Sequence, residues 1–221
     1  QRSGEYKSGV GRLLDLPAAS LPPEVAAYIR LVRESAGKDH SAITAYPGSP
    51  VIVAQMRRPT DRLVLIEKVS KEADALRAAV GRQRLVSVID GDGYAALKAH
   101  LPPREGRGLV LIDPPYESEL EFDKVLAALE VAHERWPTGM YCVWYPLTDR
   151  AGPVRFHRNV ERAGIRKVLD VTLNVLPADA QVGMSGAGLV PINPPWHLDE
   201  RLNVLMPPLH QLLSPEGLGG S

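Results

Sequence analysis

The sequence predicts an α/β fold built on a mostly parallel sheet with helices on both faces. From residue 62 onward, short β-branched runs alternate with helical stretches, the signature of repeated strand–helix–strand units. Several of the strands are apolar at every position, as strands covered on both faces must be. At 221 residues the chain is long enough for one such domain with a sizeable core and a small insertion.

Taken in order, Gln1 to Leu14 has no initiator methionine and no signal-peptide pattern, and reads as the middle of a longer protein. An N-terminal portion is therefore expected to be missing. Pro22 and Pro23 open a helical stretch (EVAAYIRLVRES), followed by a polar loop at Gly37 to Ser41. In Tyr46-Pro47-Gly48-Ser49-Pro50, Ser49 is the expected N-cap and Pro50 the first helical residue of the run VIVAQMRR. Residues 1–60 are thus expected to form a helical insertion with a connecting helix, and residues 61–221 the core.

Strands are expected at Arg62 to Glu67, Leu85 to Ile89, Gly108 to Ile112, Met140 to Tyr145, Lys167 to Val175 and Gly188 to Ile192. Between them, helical spacing of apolar residues marks Ser70 to Val80, Gly93 to Leu101, Ser118 to Trp136 and Val154 to Ala163. In the longest, Leu120, Phe122, Val125, Leu126, Leu129, Val131 and Ala132 suggest a broad buried stripe. Glu117, Glu119 and Glu121 enrich its first turn in negative charge. Leu198 to Leu213 reads as a last helix, which Pro207 and Pro208 should break or kink.

Composition narrows the function. The chain is 44% apolar and 24% charged, and no apolar run approaches the ~20 residues that cross a bilayer. Cys142 is the one cysteine, which excludes an intramolecular disulfide and a thiolate zinc site and suggests a reducing, cytoplasmic setting. Lys plus Arg and Asp plus Glu both number 26, so no net positive field advertises a nucleic-acid partner. Basic groups at Arg57, Arg58 and Arg62, at Arg82 and Arg84, and at Arg155, His157 and Arg158 read as solvated faces. The six histidines lack metal-ligand spacing, and no metal is assigned.

The strongest chemical signal is Asp113-Pro114-Pro115-Tyr116, directly after the apolar run GLVLI. In an open α/β sheet the carboxyl ends of the strands face the ligand crevice, so a polar residue there is presented to whatever binds. Two prolines stiffen the turn. Asp-Pro-Pro-Tyr in this setting resembles the catalytic motif of amino-group methyltransferases. An adenine amino nitrogen is a poor nucleophile because its lone pair is delocalised into the ring. The Asp113 carboxylate and the Pro114 carbonyl could accept its two hydrogens and localise that lone pair, while Tyr116 offers a face on which a flipped base can stack. The alternative is a proline-rich turn with a buried tyrosine.

Upstream, Glu67 ends one strand and Asp92-Gly93 follows the next by a short turn. Glu67 could accept from both hydroxyls of a cofactor ribose, and Asp92 from a cofactor amine, with Gly93 permitting close approach. Either acid could equally be a cap, and Asp90 rivals Asp92. Asn193-Pro194-Pro195-Trp196 also follows an apolar strand and imitates the motif. Only 25 residues remain after Trp196, with no strand and glycine-rich turn among them, so a permuted enzyme is disfavoured and the segment reads as a structural strand end. No glycine-rich turn follows an apolar strand anywhere in the chain. The first strand of the sheet and its glycine-rich loop are expected to be missing.

Together these segments are similar to the bacterial family that methylates N6 of an adenine in large-subunit (23S) ribosomal RNA. The likeness runs through Gly4-Glu5-Tyr6, Tyr46 to Pro50, Leu63 to Glu67, Asp92-Gly93-Tyr94, Leu101-Pro102-Pro103, Leu111 to Glu117, Trp144-Tyr145-Pro146, Gly164 to Lys167, Gly183-Met184 and Asn193 to Trp196. The resemblance implies a class I methyltransferase sheet with a small helical insertion, using S-adenosylmethionine on protein-free ribosomal RNA. Its cofactor residues would be Ser49, Glu67, Asp92, Gly93 and Asp113, with Asp113 catalytic. Where the family tends to continue Leu-His-Pro after the glutamate, this chain reads Lys68-Val69-Ser70. Rival readings are an adenine-N6 DNA methyltransferase, a protein-glutamine methyltransferase and a non-enzymatic RNA-binding scaffold.

Overall fold

The computed structural model describes residues 9–35, 46–118, 120–148, 151–176 and 183–214. Gly4-Glu5-Tyr6, the loop at Gly37 to Ser41, Glu119 and the tail glycines lie outside them. The chain divides into two compact units, Gln1–Ala96 and Leu97–Ser221.

In the first unit, α1 (Val10–Leu14), a short 3₁₀ turn (Ala18–Ser20), α2 (Pro23–Ser35) and α3 (Ser49–Met56) precede β1 (Leu63–Glu67), α4 (Ser70–Val80) and β2 (Val86–Asp90). The fifth helix, α5 (Gly93–His100), runs across the boundary between units. On α2 the buried residues Val25, Ile29 and Val32 recur at i, i+4 and i+7, one apolar stripe of an amphipathic helix. The strands pair in parallel, with Glu67 opposite Asp90. One expectation fails here. Gly48, in extended conformation, is the N-cap of α3, its carbonyl accepting from the Val51 and Ile52 N–H groups, so Ser49 is already helical and makes no capping bond.

The second unit holds β3 (Leu109–Ile112), α6 (Glu121–Arg135), β4 (Met140–Leu147), α7 (Ala151–Arg162), β5 (Val171–Asn174), β6 (Gly186–Ile192) and α8 (Leu198–Leu213). Its sheet has the order β3-β4-β6-β5. The strands β3 and β4 are parallel, while β6 runs antiparallel to both β4 and β5, so three of the four strands share one direction and only β6 is reversed. The core lies where α6 and α7 meet this sheet. Val125, Leu129 and Ala132 of α6, Phe156 and Val160 of α7, and Val143, Val190 and Ile192 of the strands are buried. Burying each large apolar side chain contributes about 1.5–3 kcal/mol.

Four departures from the expected elements have local causes. The α6 helix starts at Glu121 rather than Ser118, because the Ser118 side chain and carbonyl accept from the Leu120 and Glu121 N–H groups and set up the first turn. Leu120 consequently lies outside the buried stripe and is exposed, whereas Glu121 is buried beside Lys124. The strand expected over Lys167 to Val175 is regular only at Val171–Asn174, with one isolated bridge at Val168, since Lys167 adopts a positive φ of 53°. Pro207 and Pro208 do not end α8. The carbonyls they leave without donors are those of Asn203 and Val204, both exposed residues that water can satisfy.

Candidate active site

In the second unit β4 outruns its parallel neighbour. The register ends at Ile112 opposite Val143, while β4 continues through Trp144, Tyr145 and Pro146 to Leu147. The turn Asp113-Pro114-Pro115-Tyr116 therefore emerges beside this overhang. Tyr116 takes the left-handed conformation, φ 49°, which folds its ring back toward β4. Its hydroxyl donates to the Trp144 carbonyl oxygen at 2.8 Å. Its ring lies 4.9 Å from Phe122 and 6.2 Å from Trp144, both tilted. Burial, helped by the charges of Asp113 and Glu121, pushes the Tyr116 phenol well above its ordinary range, so it stays a neutral donor. Asp113 is solvent-exposed overall, yet burial of part of its side chain pushes its carboxyl upward.

A second layer fixes this arrangement. Phe122 packs on Phe156 at 5.4 Å and on Tyr145 at 6.2 Å. The Tyr145 hydroxyl donates to Asp170 Oδ1 at 2.8 Å, and His157 Nε2 lies 3.2 Å from the same oxygen. Burial pushes the Asp170 carboxyl up, but the contacts from His157 and Tyr145 outweigh it and hold it below the usual carboxylate range. Gly188 faces Tyr145 across the β4–β6 pair, and a Cβ there would collide with the tyrosine ring and hydroxyl. Sequence reasoning missed Phe122 as a ring partner, Asp170 and the Trp144 carbonyl. The run Trp144-Tyr145-Pro146 was the available signal, a strand extending beyond its neighbour's end.

Asn193 stands elsewhere. Because β6 is antiparallel, Asn193 follows its end at the level of Met140, whereas Asp113 lies level with Trp144. The two motifs are therefore at opposite edges of one sheet, four residues or about 13 Å apart along the strands. Asn193 has φ 50°, and its side-chain amide donates to the Pro137 and Gly139 carbonyl oxygens at 2.8 Å each. Its own N–H donates to the Lys167 carbonyl. Those bonds occupy it as a loop tie. Trp196, by contrast, is 86% exposed.

In the first unit Glu67 ends β1, and Asp92 lies two residues past the end of the adjacent parallel strand β2. The Val69 N–H donates to Glu67 Oε1 at 2.9 Å, and the second Glu67 oxygen has no hydrogen-bond partner among the described residues. Asp92 Oδ1 accepts from the Tyr94 and Ala95 N–H groups, at 2.9 and 3.1 Å, and so caps α5, while Oδ2 meets the exposed Lys68 ammonium at 3.3 Å. These contacts, the Ala95 bond foremost, lower its carboxyl below the ordinary range. At Gly93 a Cβ would meet nothing within 4 Å, so the turn leaves open space there. Ser49 is exposed at the start of α3, and no hydrogen bond among the described residues joins it to Glu67 or Asp92. Among the described residues no group of three or more His, Cys, Asp or Glu could hold a metal, and no helix is long and apolar enough to cross a membrane.

A family model described as ribosomal RNA large subunit methyltransferase D, RlmJ, matches residues 1–221. The ribosomal RNA large subunit methyltransferase J of Haemophilus influenzae is 40% identical over 221 residues, covering 99% of this chain and 77% of that protein. The Escherichia coli protein of the same name is 37% identical over 219 residues, with the same coverage. Among solved structures, protein LPL1258 from Legionella pneumophila superposes with a TM-score of 0.87 at 32% identity, over 98% of this chain and 79% of that one.

Proposed function

This chain belongs to the ribosomal RNA large subunit methyltransferase J family, and from that premise we propose that it methylates the exocyclic N6 of an adenine in 23S ribosomal RNA, using S-adenosylmethionine. One observation carries the reading. Asp113 and Pro114 stand at the carboxyl end of β3 beside Tyr116, whose ring is held by Trp144 and Phe122. The Asp113 carboxylate and Pro114 carbonyl accept the two N6 hydrogens and turn the nitrogen lone pair out of the ring. Tyr116 offers its ring to the extruded base for stacking, its own position fixed beforehand. As positive charge grows on the attacking nitrogen, Asp113 stabilises it more in the transition state than in the ground state.

The donor set of the first unit suits the cofactor. S-adenosylmethionine supplies an electrophilic methyl group on a positively charged sulfur. The unpartnered oxygen of Glu67 would accept from the ribose hydroxyls. Asp92 Oδ2, held only by an exposed lysine, would accept the adenine amine, next to the open space at Gly93, and the exposed Ser49 hydroxyl would add a further contact. Family membership sets this substrate class above the DNA-adenine, protein-glutamine and scaffold readings. We take residues 1–60 as a helical insertion, the substrate as protein-free rRNA, and the site of action as the cytoplasm.

Mass spectrometry of nucleosides from 23S rRNA, with and without this gene, tests the proposal. N6-methyladenosine at one position should vanish on deletion and return with the wild-type gene. Unchanged N6-methyladenosine on deletion contradicts it.

A further inference from the structure

The helix α7 is sharply two-sided. Pro153, Phe156 and Val160, at i, i+3 and i+7, are its buried face. Arg155, Arg158 and Arg162 follow the same spacing two residues later, which places them about 200° round the helix, on the opposite side. All three are exposed, and none has a hydrogen-bond or ion-pair partner among the described residues. The helix's one acidic residue, Glu161, stands at i+3 from Arg158 on one flank of the stripe and forms no ion pair with it among the described residues. Like charges at i, i+3 and i+4 repel and weaken a helix unless something neutralises them, so a row of three unmatched arginines over about 10 Å calls for an anion.

Its placement suggests which anion. The helix begins just after the carboxyl end of β4, at the sheet edge that carries Asp113. Its buried Phe156 packs on Phe122, which packs on Tyr116. The outer face of α7 therefore starts near the motif end of the same unit, at Arg155, and runs back along the sheet toward Arg162, whose chain leads to Lys167 at the Asn193 edge. The other basic groups do not offer this: Arg57 donates to the Asp61 carbonyl and to Gln83, and Arg58 is paired with Asp61.

We propose that Arg155, Arg158 and Arg162 bind the phosphodiester backbone of the substrate RNA, as a track that leads away from the Asp113 end where the target nucleotide enters. The inference rests on the ribosomal RNA reading above and gives it an interface. Guanidinium groups are always charged and bind phosphate oxygens in a two-pronged fork, so successive helical turns grip successive phosphates without reading sequence.

The test is the salt dependence of RNA binding by the full-length enzyme, measured apart from methyl transfer on a 23S fragment containing the modified adenine. Four proteins are compared: wild type, the triple variant Arg155→Gln/Arg158→Gln/Arg162→Gln, the triple variant with lysine at the same positions, and Arg82→Gln/Arg84→Gln. Each lost phosphate contact flattens the log–log slope by about 0.7–0.9, so the glutamine triple should lose about 2 to 3. Its KM for RNA should rise by about tenfold or more near physiological salt, the order expected for lost phosphate contacts, with an unchanged single-turnover rate at saturating RNA. The lysine triple should keep most of the slope, and Arg82→Gln/Arg84→Gln all of it. An unchanged slope in the glutamine triple, an equal loss in Arg82→Gln/Arg84→Gln, or a fallen saturating rate with unchanged KM overturns the proposal. So does a wild-type enzyme that does not bind the fragment. A wild type that binds but does not methylate refutes the proposed reaction instead, and the slopes still judge the stripe.

Discussion

Tyr116 donates its hydroxyl to the backbone carbonyl of Trp144 at 2.8 Å, tying the turn after β3 to the overhang of β4. That bond fixes the ring before any base arrives, so its contribution separates from that of the aromatic face. Tyr116→Phe should keep stacking and lose the tie, lowering the single-turnover rate by about tenfold at most, the worth of one neutral hydrogen bond. Tyr116→Ala loses both, and base stacking adds a further 1–3 kcal/mol or so. Equal rates for the two variants would remove the ring from the account.

Asp113 must be ionised to accept the amino hydrogens, and burial raises its pKa. A raised carboxyl pKa means that the active, charged form is lost at a higher pH than for an ordinary aspartate at about 3.9. The acid limb of the single-turnover pH–rate profile should therefore have its midpoint above that value. A midpoint at or below it argues that Asp113 is not the group being titrated.

Gly188→Ala introduces a methyl group where the Tyr145 ring sits. Overpacking of this kind costs about 1–3 kcal/mol. Chemical denaturation should show that loss, and the displaced tyrosine should release Phe122 and lower the rate in the same variant. Wild-type stability with wild-type activity would mean that Tyr145 is not held as described.

Glu67→Ala should raise the cofactor dissociation constant more than it lowers the maximal rate. A ribose contact is felt equally before and during transfer, and loss of uniform binding appears in saturation behaviour. Calorimetric titration alongside kinetics distinguishes this from a collapse in rate at unchanged affinity, which would contradict the assignment.

The fold was legible wherever periodicity was long. The helix Ser70–Val80 was read to the residue, and the six strands were located to within a few residues, because apolar runs bounded by polar turns carry their own limits. Strand direction was not legible. A strand's residues look the same run either way, so the reversal of β6 left the reading of Asn193 resting on chain order alone. The structure supplies the stronger reason, since an antiparallel strand delivers its last residue to the other edge. The Asp113 motif was visible because its residue types are unusual together. Asp170 and Phe122 were not, since their importance lies in what they touch across the sheet. The basic residues of α7 read as a solvated face, and all three arginines are exposed; their alignment in one stripe shows only once the burial of Phe156 and Val160 fixes which way they point.

The most direct measurement of the central claim is a single-turnover methylation assay on an adenine-containing 23S rRNA fragment, under saturating cofactor, with Asp113→Ala and Asn193→Ala side by side. Removing Asp113 should cost about 3–4 kcal/mol of transition-state stabilisation, roughly two to three orders of magnitude in rate at saturating cofactor, with the fold intact. Asn193→Ala, which removes only the tie to Pro137 and Gly139 at the far edge of the sheet, should keep most of its activity. A dead Asn193→Ala beside an active Asp113→Ala would contradict the account.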